Sequence, residues 1–156
     1  MQLTSFSDYA LRLSIYLGAE RERWVAVEEV SRAYGISRAH LVKVVQRLVA
    51  LGFVEAMRGR GGGLRLARRP EDIGIGALVR ATEPHLDIVE CFDRRTNTCP
   101  IAPACRLKHV LAQARDQFLG ALDAHTLADL LERPPALREL WALNLKVRAK
   151  GRGRAP

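Results

Sequence analysis

The sequence predicts a mainly α chain with a small β-wing: a winged helix-turn-helix domain followed by a long C-terminal dimerisation helix. Three observations carry that expectation. Two apolar-periodic segments are joined by the short link "YGIS" at 34–37. Two alternating stretches then flank the glycine run "RGRGGG" at 58–63. A long run from Pro103 onward repeats apolar residues at three- and four-residue spacing. The 156 residues suffice for one core, or for two small subdomains sharing one, without disulfides.

Residues 5–20 read as a helix, with Ser5 as cap and Asp8 three places later at capping-box spacing. Ala10, Leu13 and Leu17 share one face of it. "WVAV" (24–27) is β-branched and aromatic, a strand stub. "VEEVSRAYG" (27–35) is a short helix that stops at Gly35. Ser37 caps the next helix, whose apolar stripe is Leu41, Val44, Val45, Leu48 and Leu51 and which Gly52 ends.

This is a helix-turn-helix pattern, whose second helix enters the major groove N-terminus first. The residues facing solvent there are Ser37, Arg38, His40 and Lys43, with Arg47 one turn later. All can donate hydrogen bonds to phosphates or base edges. An ordinary helical hairpin would share that polar face, so the next segment decides. "FVEAMRGRGGGLRLAR" (53–68) reads as strand, glycine-rich turn and returning strand. Arg58, Arg60 and Arg65 surround its tip and suit a narrow minor groove or flanking phosphates. The run lacks a Gly-Lys-Ser/Thr ending and a following helix, which excludes a nucleotide-cradling loop.

The winged domain is expected over 1–82, closing with a short helix in "DIGIGALVRATEP" (72–84). Residues 83–105 form a proline-broken loop without periodicity. The long helix and a short one after it, "HTLADLLE" with Thr126 as cap, fill 106–133. A helix this long could pack on the body of its own subunit or pair with its mate in a second chain; because two-fold dimers read palindromic operators, pairing is expected. Residues 134–156 are expected to be a basic, partly disordered tail.

Net charge is +8, unevenly spread. Residues 1–80 hold thirteen Lys/Arg and eight Asp/Glu, residues 81–135 six and eight, and residues 136–156 six and one. A basic front and tail around an acidic middle suit a polyanion partner, here double-stranded DNA. No nucleophilic triad, P-loop or paired-carboxylate site stands out, so an enzyme is not expected. No stretch reaches the ~20 apolar residues of a membrane span. The opening "MQLTSFSDYALRL" lacks the basic n-region of a signal peptide, so a cytoplasmic location is expected.

All three cysteines, Cys91, Cys99 and Cys105, fall in "ECFDRRTNTCPIAPACRLK" (90–108). A polar, proline-rich loop is a poor place for cysteines that serve only as buried hydrophobes. Zinc sites usually show a tight C-x₂₋₄-C pair, absent here. An iron–sulfur cluster tolerates wider spacing. Cys105 opens the long helix, where the dipole favours a thiolate. Cluster, zinc and redox thiols all remain open on spacing alone.

Five segments together carry a resemblance: "MQLTSFSDYALR", "ISRAHLVKV", "RGRGGGLRL", "CPIAPACRLK" and "HTLADLL". The chain resembles the iron–sulfur winged-helix repressors, and within them the NsrR-type, nitric-oxide-sensing branch, from residue 1 to about 133. The resemblance implies a homodimeric repressor that binds promoter DNA while its cluster is intact. Nitrosylation of the iron then releases the DNA. It makes 83–105 the cluster-binding loop and implies a four-iron cluster ([4Fe–4S], with [2Fe–2S] as the alternative) on Cys91, Cys99 and Cys105. The fourth ligand it implies is Asp8 from the partner subunit; Glu90, Asp93 and His109 are local rivals, and a purely capping role for Asp8 is another. A related branch places a histidine three residues after its last cysteine. Lys108 stands there instead, and His109 is one residue out of register. An iron-responsive repressor of the same fold and a zinc-stabilised winged-helix protein are the alternatives.

Overall fold

Thr4, not Ser5, caps the first helix. The computed structural model describes residues 2–152, with side chains through Val147. Helix α1 spans Ser5–Ala19, and the Thr4 hydroxyl accepts from the Ser7 N–H at 3.3 Å. Moving the cap back one residue puts Asp8 one place past capping-box reach. Its carboxylate instead accepts from Arg12 Nε, one turn on, at 2.9 Å. The predicted face of Ala10, Leu13 and Leu17 is fully buried, and Ser7, Ser14 and Tyr16 are buried too. That wide buried surface lets α1 take neighbours on several sides.

Helix α2 (Val27–Tyr34) ends at Gly35, whose φ of 68° is the left-handed stop expected from sequence. The Ser37 hydroxyl caps α3 (Arg38–Ala50) by accepting from the His40 N–H at 3.3 Å. Gly52, at φ 69°, turns the chain into the wing. Strands β1 (Val54–Met57) and β2 (Gly63–Leu66) pair antiparallel, from Val54 opposite Leu66 to Met57 opposite Gly63. The strand stub is a single bridge: Val25 and Leu64 exchange both backbone hydrogen bonds, at 2.9 and 2.8 Å. The glycines serve two purposes. Gly59 and Gly61 take positive φ at the tip, while a Cβ on Gly63 would sit 2.7 Å from the Val25 carbonyl oxygen.

A 3₁₀ turn at Pro70–Asp72 leads to α4 (Ile75–Thr82), which packs on α1. The loop that follows contains two 3₁₀ turns, Glu90–Phe92 and Ala102–Ala104. Helix α5 covers Arg106–Asp123. Its apolar residues divide between two faces. Phe118, Leu119 and Leu122 turn inward, whereas Leu107 and Val110 are 61% and 59% exposed. The short helix expected at 125–132 is a 3₁₀ turn, Ala128–Leu131. Thr126 donates its N–H and hydroxyl to Asp129 at 2.7 and 3.2 Å, so the carboxylate satisfies the turn. Buried Leu127 donates its N–H to the Ile73 carbonyl at 2.8 Å, clasping this segment to the chain ahead of α4.

The stretch expected to be a basic tail begins as helix α6 (Pro134–Arg152). Trp141 is buried against Tyr16 (ring centroids 4.4 Å apart) and Tyr34 (5.7 Å), and Asn144 donates to the Ala33 carbonyl at 2.7 Å. Burial pushes the Tyr34 phenol up to about 12, so this aromatic cluster stays neutral. The disorder expected for the last ten or so residues falls mainly on positions whose side chains lie outside the described residues. No described helix is long and apolar enough to cross a membrane.

The Gly63 contact yields a test. Gly63→Ala forces a methyl group against the fixed backbone of Val25, and overpacking of this kind costs about 1–3 kcal/mol. Urea unfolding should show that loss; an unchanged midpoint would mean the wing can pull away from Val25 freely.

Candidate nucleic-acid interface and cysteine loop

The N-cap and first two turns of α3 project Ser37, Arg38, His40 and Lys43 outward, all exposed. They are not equally free. Ser37 is engaged in its cap. Arg38 pairs with Glu28 at the start of α2. His40 lies over the Tyr9 ring, centroids 6.1 Å apart and planes 28° apart. Arg47 donates to the Ala81 carbonyl at 3.2 Å, bracing α3 against α4. Lys43 remains exposed beside them. The face therefore offers donors at the helix N-terminus, while Arg47 is positioned as a brace.

Arg58 and Arg60 are exposed at the wing tip. Arg65 is not at the tip. It sits within β2, pairs with Glu55 across the register, and lies over the Trp24 ring at 4.6 Å. A strand residue faces whatever its register partner faces, and only pairing reveals that Glu55 stands opposite. Arg68, which sequence reasoning passed over, closes the C-terminus of α3. It donates to the Gly52 and Leu51 carbonyls at 2.8 and 3.1 Å and covers Phe53.

Cys91, Cys99 and Cys105 are free thiols and half-buried. Cys91 and Cys99 line one cavity of about 300 Å³ together with Arg94 and Lys108. Cys105 is the N-cap residue of α5, with no side-chain cap bond. Asn97 accepts from the Cys99 N–H at 3.1 Å, and Asp93 accepts from the Arg95 N–H at 2.9 Å. That backbone donor holds the Asp93 carboxyl below its usual range. The loop is tied at two points, Glu83 and Phe92. Glu83 accepts from the Thr4 N–H and hydroxyl at 2.8 and 3.1 Å, and Arg115 of α5 covers Phe92 at 4.9 Å. Among the described residues, no three His, Cys, Asp or Glu side chains gather to hold one ion. Asp8, Glu90, Asp93 and His109 are thus not assembled with the thiols into such a set within one chain.

The family model described as "Rrf2: Iron-dependent Transcriptional regulator" matches residues 3–133. The chain belongs to the Rrf2 family. This Rrf2 chain is 49% identical to the HTH-type transcriptional regulator NsrR of Geobacillus kaustophilus, over 90% of this chain and 96% of that one. It is 48% identical to NsrR of Bacillus subtilis, over 90% and 97%. Among solved structures it is similar to T. potens IscR, with a TM-score of 0.69 and 25% identity over 85% of this chain and 87% of that one. The Rrf2 chain is thus an NsrR-type transcriptional regulator with a winged-helix fold, not an enzyme.

The two kinds of wing arginine should separate experimentally. Arg60→Ala should weaken duplex binding and lower its salt slope by about 1, with stability unchanged. Arg65→Ala should instead cost about 0.5–1 kcal/mol from its stack on Trp24. Fluorescence anisotropy and urea melts on both variants check this; the reverse pattern would return Arg65 to the DNA face.

Proposed function

We propose that the chain is a homodimeric, cytoplasmic repressor that senses nitric oxide through an iron–sulfur cluster on Cys91, Cys99 and Cys105. The observation that carries this reading is the placement of the cysteine loop. It holds every thiol of the chain and is tied to α1 at Glu83 and to α5 at Phe92, next to Cys91. Three thiolates are a donor set suited to iron and sulfide, and Arg94 and Lys108 line the cavity beside two of them. When bound, the cluster supplies an iron centre that nitric oxide attacks.

Asp8 of the partner subunit is the fourth ligand in this reading, with Glu90, Asp93 and His109 the rivals. Within its own chain Asp8 is well placed to pass on a disturbance. Its ion-pair partner Arg12 lies over Tyr34 of α2, at 5.8 Å from the ring centroid. Its neighbour Tyr9 stacks on His40 of α3. A pull on this turn of α1 therefore reaches both helices of the DNA-reading unit. Coupling of about 1–3 kcal/mol through them changes DNA affinity about 5–150-fold. Ser37, Arg38, His40 and Lys43 meet the major groove, and Arg58 and Arg60 the flanking minor groove or phosphates. Arg47 and Arg65 act as braces.

The outer face of α5 is the dimer seam. Leu107, Val110, Ala114 and Ala121 are exposed at helical spacing. Val110→Asp should shift the protein to monomers in sedimentation; an intact dimer would move the seam elsewhere.

Protein purified without oxygen tests the cofactor. Native mass spectrometry with iron, sulfide and zinc assays should give a brown dimer with about four irons and four sulfides per chain. One zinc per colourless chain would overturn the sensor and keep the DNA-binding half. Asp8→Ala should retain iron but lose the nitric-oxide effect on promoter binding; an unchanged response would refute the ligand from the partner. An iron-responsive repressor is the second reading, favoured by the family's iron-dependent description. Release of DNA by iron withdrawal, without nitric oxide, would select it.

A further inference from the structure

The outward stripe of α3 is fixed by its buried one. Leu41, Val44, Val45 and Leu48 are buried. At about 3.6 residues per turn, the positions most nearly opposite them are 39, 43, 46 and 50. All four are exposed, as Ala39, Lys43, Gln46 and Ala50. The other polar side chains of the helix lie off this stripe and are engaged. His40 and Arg47 fall on one flank, against Tyr9 of α1 and the Ala81 carbonyl of α4. Arg38 falls on the other flank, paired with Glu28 of α2. Ser37 is held in its cap. Lys43 and Gln46 stand outside these contacts. The two ends of the stripe are methyl groups, Ala39 and Ala50, about 16 Å apart along the axis. A groove floor can therefore approach the helix along that whole length, and the side chains that protrude towards it are Lys43 and Gln46. Their chemistry differs. Lys43 is a point charge with donors only, suited to phosphates or to the acceptors of guanine. A glutamine amide sets a donor beside an acceptor. Adenine is the base whose major-groove edge matches it, with N7 as acceptor and the N6 amino group as donor.

We propose that Gln46 reads an adenine in each operator half-site and is the residue by which α3 selects sequence. The inference rests on the DNA-binding reading and deepens it. Arg38 and His40, on the flanks, face the groove walls, where phosphates lie. Gln46, opposite the core, faces the floor, where base edges lie. Lys43 precedes it by about 4.5 Å along the axis, little more than one base-pair step of about 3.4 Å. The adenine contact and the Lys43 contact therefore fall on adjacent or nearly adjacent base pairs. Gln46 carries no charge, so its contribution is to sequence preference and not to the salt dependence of binding.

The test uses the full chain purified without oxygen, with Gln46→Ala, Gln46→Arg and, as control, the wing variant Arg58→Gln/Arg60→Gln. The probe is a library of duplexes with a randomised centre, long enough for two half-sites one helical turn apart. Each protein selects from the library, and affinities for the enriched sequences are then measured across salt concentrations. The unaltered chain should enrich a two-fold motif with an adenine in each half. Gln46→Ala should lose the preference at that position alone, where discrimination falls by about 5–150-fold, and should keep the salt slope. Gln46→Arg should replace that adenine by guanine, to whose O6 and N7 a guanidinium donates. A gained preference of this kind cannot come from a variant that has merely lost its fold. Uniformly weaker binding with an unchanged motif would put Gln46 on the sugar–phosphate backbone and overturn the base contact. An unchanged motif at unchanged affinity would overturn it too. In both cases a salt slope lowered by about 1–2 in the wing variant would leave the DNA-binding reading standing. No enriched motif and no salt-dependent binding by the unaltered chain would overturn that reading together with the base contact.

Discussion

The burial of α1 is the constraint on which the rest of the molecule depends. Helices α3 and α4, strand β2, the 3₁₀ turn at Ala128–Leu131 and α6 all pack against it. A helix can serve so many neighbours only if parts of its surface are small. Ser7, Ala10, Ser14 and Gly18 supply that, all buried at three- and four-residue spacing. At Gly18 a Cβ would lie 2.5 Å from a methyl carbon of Leu131, so the turn after α5 closes directly on the helix backbone. Ser14 keeps its buried hydroxyl satisfied by donating to the Ala10 carbonyl at 2.9 Å.

The same helix joins the regions assigned to sensing and to DNA contact. Its start is tied to the cysteine loop through Thr4 and Glu83. Its next turns touch α3 through Tyr9 and α2 through Arg12. Its end receives α6 through Glu20 and Tyr16. A displacement at the cysteine loop would reach the reading head through a packed helix rather than through a flexible linker, and close packing transmits small shifts.

Local chemistry was legible in the sequence, and distant pairing was not. Gly35, Ser37 and Gly52 announce their roles because caps and left-handed stops are decided by one residue and its immediate backbone. The wing was legible for the same reason, since its glycine run sits between two short alternating strands. The cap of α1 was placed one residue late because Thr4 and Ser5 are chemically equivalent candidates, and only the helix phase chooses between them. The apolar repeat of α5 merged two faces into one stripe, since periodicity does not say which neighbour each face meets. Arg65 looked like a tip arginine until Glu55 and Trp24 appeared beside it. Trp141 reads as part of the basic tail because its partners, Tyr16 and Tyr34, lie more than a hundred positions away. The three cysteines were conspicuous throughout, yet no rule of spacing places Cys91 and Cys99 on one cavity wall with Lys108.

The paired backbone bonds between Val25 and Leu64 have a geometric consequence. They fasten the returning strand of the wing to the connection between α1 and α2, and Arg68 fastens the exit of that strand to the end of α3. The wing cannot swing independently of the recognition helix. The two elements behave as the fixed jaws of a caliper, so the span between the recognition helix and the wing is set by the protein. In the proposed DNA complex the duplex would have to match that span by its own twist and groove width, and its resistance to doing so would discriminate among sequences.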